Sequence, residues 1–305
     1  MAHKENDSFP VLQLPLTMKD MVLPKLSVLD LYNLSHVSDE AKDWVKYFVR
    51  NKNYRLKVTA NWNYEVSLLN SDNQGFDVTF DGLEGNANCE FYFGDFSVLT
   101  KKEVTAPNRI KIRVLTERLD AQWEQNKAMK SFIIHLTDVF TRDVCIHISN
   151  SDDARKEKII MNLVKNQNLN VHCYSSYKDR TFARSEEYPK CKRMHIENGN
   201  INARKMKSFF DEWLINGNMD YFEVRNLPKD FNIDYIMGAQ KYTTTPIGYF
   251  DWARSYTVTR ADGITATVKF TPGYTVRLPP RLDSVYWHPN IVIKFQTDQK
   301  YSTCF

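Results

Sequence analysis

The chain reads as an α+β protein in which a short helical N-terminal piece precedes a longer mixed α/β body. Three observations predict this. Residues 9–50 carry apolar side chains at helical spacing in three short stretches. Residues 55–114 alternate apolar and polar positions, the period of half-buried strands. From residue 144 onward strand-like and helix-like stretches take turns, until a hairpin signal at Asp262-Gly263.

The helical stretches come first. Thr17 with Asp20 and Ser27 with Asp30 have the spacing of a capping box, in which hydroxyl and carboxylate satisfy each other's free amides. Ser38, followed by Asp39 and Glu40, marks a third start, with acidic residues near the positive end of the helix dipole. The stripes are Met18, Met21, Val22 and Leu26; then Val28, Leu31, Leu34 and Ser35; then Ala41, Trp44, Val45, Phe48 and Val49. Pro24 should kink or shorten the first helix, because it lacks an amide proton and its ring clashes with the preceding turn.

Strands follow. Tyr54, Leu56, Val58 and Ala60 alternate with polar neighbours, as do Phe76, Val78 and Phe80, and later Ile110, Ile112 and Val114. Asp81-Gly82, Gly85, Asn86 and Asn88 are turn residues ahead of a strand from Cys89 to Phe93. Strands are then expected at 144–148, 170–174, 192–196 and 221–224, with helices at 154–165 and 202–216. The second of these helices has a stripe of Met206, Phe209, Phe210, Trp213 and Leu214, and Gly217 stands at its C-terminal end. Such units suggest parallel strands with covering helices, irregularly repeated in the manner of leucine-rich repeats. The expected organisation is 9–50, a helical module; 51–140, a β-rich segment; and 141–305, an α/β domain.

Composition bounds the function. At 305 residues there is room for about two domains. A net charge of +4 with scattered basic residues calls for neither nucleic acid nor membrane. Five cysteines without close pairs point to a reducing compartment. The first apolar stretch is broken by Pro10, Gln13 and Pro15, so a signal peptide is not expected, and the chain is read as cytoplasmic, nuclear or both.

A piece of about 40 residues rarely buries enough surface to fold unaided. The surplus apolar residues of 9–50 therefore read as an interaction module. The run Phe9-Pro10-Val11-Leu12-Gln13-Leu14-Pro15, continued by Met18, Val22-Leu23, Leu26, Asp30-Leu31, Leu34-Ser35 and Val37-Ser38, resembles an F-box. Two departures are Ala41 where many F-boxes place Trp, with Trp44 one turn later, and Pro24 in the first helix. With Ser208 to Leu214, Gly217, Tyr221-Phe222-Glu223-Val224, and Asp262-Gly263 followed by Thr265 to Val268, the chain is similar to a nematode-expanded family of F-box proteins carrying a type 2 F-box-associated domain. Lys207 and Met219-Asp220 depart from that pattern. The resemblance implies a substrate-recognition subunit of a Skp–cullin–F-box ubiquitin ligase, non-catalytic and without cofactor. It also implies that Leu14, Pro15, Val22, Leu26, Leu31, Leu34 and Val37 bind the Skp-type adaptor and through it the cullin.

Catalytic and metal motifs are missing from the sequence. Cys191 and His195 are spaced i, i+4 but fall on an expected strand, where about 13 Å of rise separates them. No CxxC, HExxH, Gly-x-Ser-x-Gly or phosphate-binding glycine loop occurs. The unknown protein target is assigned to exposed aromatics and arginines: Tyr174, Tyr177 and Arg180 on one expected loop, Tyr249 and Trp252 on another stretch. The rival readings are an adaptor-independent scaffold or regulatory protein-binding module, and an unrecognised α/β enzyme.

Overall fold

The computed structural model describes residues 14–61, 63–80, 86–94, 96–106, 109–115, 121–148, 154–179, 191–199, 203–216, 219–227, 233–238, 242–246, 254–276 and 287–297. Within these the protein has mixed helix and strand content, with strand predominating. It forms two compact units, Met1–Cys145 with Asn162–Leu169, and Ile146–Met161 with Asn170–Phe305. The helical N-terminal piece and the strands after it fall in the same unit.

In the first unit, α1 (Leu16–Val22) runs into a 3-10 turn at Leu23–Lys25 that contains Pro24, the shortening its ring requires. α2 (Val28–Leu34) starts on a complete capping box between Ser27 and Asp30, and α3 (Asp39–Val49) on Ser38, whose side chain accepts from the Ala41 amide. The Thr17 box is not used. α1 begins at Leu16, with Pro15 at the N-cap and no side-chain cap.

The strands β1 (Arg55–Ala60), β2 (Tyr64–Leu69), β3 (Gly75–Phe80), β4 (Cys89–Phe93), β5 (Phe96–Ala106) and β6 (Arg109–Val114) lie in the order β1-β2-β3-β6-β5-β4. The β3–β6 pair is parallel and the others antiparallel. At the β2–β3 turn a Cβ on Gly75 would lie 1.9 Å from the Leu68 carbonyl oxygen, so only glycine fits. The segment expected to be β-rich also holds a helix, α4 (Ala121–Val139), which packs on β2, β4 and α3. Its buried stripe of Ala128, Met129, Phe132, Ile133, Leu136 and Val139 has helical spacing that the strand-dominated reading of this region passes over.

The core of this unit centres on Tyr32, which is fully buried. Its ring lies 5.1 Å from Phe91 in a near-parallel stack and 5.4 Å from Phe132 edge-on, with Phe76 at 5.3 Å. Its hydroxyl donates to the Tyr92 carbonyl. One side chain thus joins α2 to β3, β4 and α4.

β7 (Asp143–Ile148) and α5 (Ala154–Asn166) span the division between the units. In the second unit β8 (Asn170–Asp179), β9 (Arg193–Gly199), β10 (Tyr221–Leu227), β11 (Tyr242–Pro246), β12 (Arg254–Thr259), β13 (Thr265–Val276) and β14 (Trp287–Thr297) lie in the order β11-β12-β13-β14-β10-β9-β8. Among these pairs β8–β9 and β9–β10 are parallel, and beyond β10 every pair is antiparallel. The parallel, repeat-like pattern therefore does not continue past β10, and the sheet is mixed rather than a solenoid. α6 (Ala203–Asn216) buries Met206, Phe210 and Trp213, stacks Phe209 on Phe222 at 4.6 Å, and packs against α7 (Ile233–Met237). The β12–β13 hairpin turns at Gly263, whose φ of +86° explains the Asp-Gly signal. Gly217 and residues 81–85 lie outside the described residues.

Candidate docking face of the N-terminal helices

Residues 14–37 present two opposed faces. On α1, Lys19 and the following Leu23 point inward, at 6% and 2% exposure. The Lys19 ammonium sits 4.3 Å from the centroid of the Trp44 ring and 3.8 Å from a Glu40 carboxylate oxygen. A buried lysine needs such partners, since an isolated ammonium would not survive desolvation. This contact fixes the rotation of α1 against α3. Met21, two residues on, lies opposite Lys19, and Met18 and Val22 adjoin it at i, i+3, i+4 spacing. Met18 is 51% exposed and Met21 67%, while Val22 is half-buried.

Of the residues assigned to adaptor binding, Pro15 and Val37 are exposed and Leu14, Val22 and Leu26 are half-buried. Leu31 and Leu34 are not available: both are sealed in this chain's own core at 2% and 3%. The reason is the position of α2, which is held by Tyr32 against the strands and α4, so its apolar stripe is spent internally. Sequence reasoning placed Met18 and Met21 on the helical stripe without assigning them to the adaptor; the i, i+3 spacing opposite Lys19 is the signal that singles them out. Residues 9–13 lie outside the described residues.

The target-binding assignment is corrected at Tyr174. Residues 174–179 continue β8 rather than forming a loop, and Tyr174 is 1% exposed, its hydroxyl donating to Glu157 at 2.7 Å. A partner cannot reach it. Tyr177 also lies on β8, whereas Arg180, Tyr249 and Trp252 fall outside the described residues.

One pair resembles a nucleophile–base couple. Ser35 Oγ lies 2.8 Å from His135 Nε2, in the core beneath α2. The Ser35 hydroxyl also lies 2.6 Å from the Tyr32 carbonyl, which can only accept, so its proton is committed there. His135 must then donate through Nε2 and cannot act as base toward this serine. Its ring stacks on His36 at 3.8 Å, and burial, reinforced by His36 and Lys42, holds its pKa down at about 3. Both groups are buried and structural.

In the second unit Cys191 precedes β9, and burial pushes its thiol up, away from the reactive thiolate. His195 instead faces the buried carboxylate of Glu223 at 4.0 Å. Burial raises the pKa of Glu223, but hydrogen bonds from Tyr221 and Arg225 outweigh it and hold the group lowered, so it stays ionised. Among the described residues no group of three His, Cys, Asp or Glu side chains is placed to hold a metal, and no helix is long and apolar enough to cross a membrane.

No family model, curated protein or solved structure matches the chain.

Proposed function

We propose that this chain is a non-catalytic receptor whose N-terminal helices dock on a Skp-type adaptor, and through it a cullin ubiquitin ligase, while the body holds a protein target. The observation that carries this reading is the outward pair Met18 and Met21, fixed on α1 by the inward Lys19–Trp44 contact. Thioether side chains fit irregular partner surfaces and are enriched where proteins meet. The sequence resemblance of residues 9–38 to an F-box supplies the identity of the partner. In such an assembly catalysis is proximity: the receptor raises the local concentration of target lysines near a charged enzyme, and it needs no cofactor.

The docking residues are revised accordingly to Leu14, Pro15, Met18, Met21, Val22, Leu26 and Val37. Leu31 and Leu34 serve the chain's own core. Changing Met18→Glu and Met21→Glu together places two charges in the contact, and should abolish co-purification with the Skp-type adaptor while leaving the melting temperature unaltered. Full retention of adaptor by that double variant would sink the placement of the interface.

The second reading, an adaptor-independent scaffold, is favoured by the burial of Leu31, Tyr32 and Leu34, which makes α2 an integral part of the first unit. It predicts that the unaltered chain captures no Skp-type adaptor at all.

A further inference from the structure

The first unit carries a polar groove of about 420 Å³ between α3, α4, the turn at Gly94 and the segment after α5. Its volume falls within the roughly 300–1,000 Å³ of sites that take small molecules and short segments. Lys42, Ser131, Asp138, Arg142 and Gln167 line it, with buried His135 contributing to its wall. The charge is unbalanced. Among the described residues Asp138 is the one acidic residue of the lining, and its two oxygens hold Lys42 Nζ at 2.6 Å and Lys46 Nζ at 2.8 Å. Two ammonium groups thus share one carboxylate, and the exposed guanidinium of Arg142 adds a further positive charge on the same groove. Burial raises the Asp138 pKa, but the two lysine hydrogen bonds outweigh it and keep the group lowered, so it stays ionised. His135 remains neutral and does not add charge.

We infer that this groove binds an acidic segment of a protein target, with a carboxylate or phosphate oxygen received by the Arg142 fork and by Lys42. Guanidinium pairs bidentately with both oxyanions, and Ser131 and Gln167 add polar side chains to the same lining. This deepens the receptor reading by naming the chemistry of the target, and it rests on that reading only for the word target.

The test uses the full chain and labelled heptapeptides: one of alternating Glu and Asp, the same peptide with a central phosphoserine, and the Gln/Asn counterpart, with inorganic phosphate as competitor. Fluorescence anisotropy should show the acidic or phosphorylated peptide bound and the Gln/Asn peptide not, with affinity falling as salt rises. Arg142→Gln should weaken binding about tenfold. Asp138→Asn should strengthen it several-fold, by removing the competing carboxylate and freeing Lys42 for the ligand, and a merely structural ion-pair cluster would not give that gain. Competition by inorganic phosphate at the peptide's own concentration range would mean a small-anion site and overturn the segment reading. Equal binding of all three peptides, or of none, overturns the proposal, as does an Asp138→Asn variant that folds but gains nothing. Adaptor co-purification read alongside keeps the two claims separable: loss of peptide binding with adaptor retained sinks the groove alone.

Discussion

α1 and α2 are neighbours of equal length, seven residues each, with comparable apolar content, yet they end with opposite fates. α2 buries Val28, Leu29, Leu31, Tyr32 and Leu34; α1 leaves Met18 and Met21 in solvent and turns Lys19 inward. The difference teaches that hydrophobic spacing identifies a helix face without saying what covers it. α2 sits over the strands and α4, whose rings provide a partner surface at 5–6 Å centroid distances. α1 meets α3 through a cation and an indole instead, and its Met18 and Met21 stay exposed.

The sharpest way to break that comparison is a pair of matched truncations. Leu31→Ala should cost about 3 kcal/mol, a transfer and cavity penalty, while Met21→Ala should stay within about 0.5 kcal/mol. Chemical denaturation would read both, and equal losses would mean that α1 is as deeply packed as α2.

A somewhat smaller effect tests the core under α2 through pH. His135 keeps a pKa of about 3 in the folded chain against 6.5 ordinarily. The unfolded chain therefore takes up a proton near pH 6.5 that the folded one refuses, and this group's contribution to stability falls as pH drops from there toward 3. By pH 5 the loss is on the order of 2 kcal/mol. His135→Gln should flatten the stability profile between pH 7 and 5; an unchanged slope would show that the ring is not shielded from water.

The smallest effect concerns the helix start. Ser27→Ala removes the capping box of α2 and should cost about 1 kcal/mol, measurable as a shift in thermal midpoint. Thr17→Ala should cost distinctly less, because α1 begins at Leu16 on Pro15 and takes no side-chain cap.

Much of the fold was legible because its signals are local. The caps at Ser27 and Ser38, the proline break at Pro24, the stripe of α6 and the Asp262-Gly263 hairpin all depend on residues within a few positions of one another. α4 escaped notice although Phe132, Ile133 and Leu136 repeat at helical spacing, since the strand alternation on its N-terminal side set the reading of the whole segment. The candidate sites were legible only in part. The stripe holding Met18 and Met21 could be drawn, but not which of its sides faced water; Tyr174 looked like a loop residue until β8 ran on to Asp179.

By itself the sequence determined the helix starts at Ser27 and Ser38, the break at Pro24 and the hairpin at Asp262-Gly263. Tertiary structure decided which apolar faces are covered, and so transferred Leu31 and Leu34 from partner surface to core. It also assembled the groove from Lys42, the Asp138–Arg142 stretch and Gln167, three parts of the chain well separated in sequence. The physical reason is that backbone geometry and capping act over one or two turns, whereas burial and ion pairing depend on which distant surfaces the chain brings within a few ångströms.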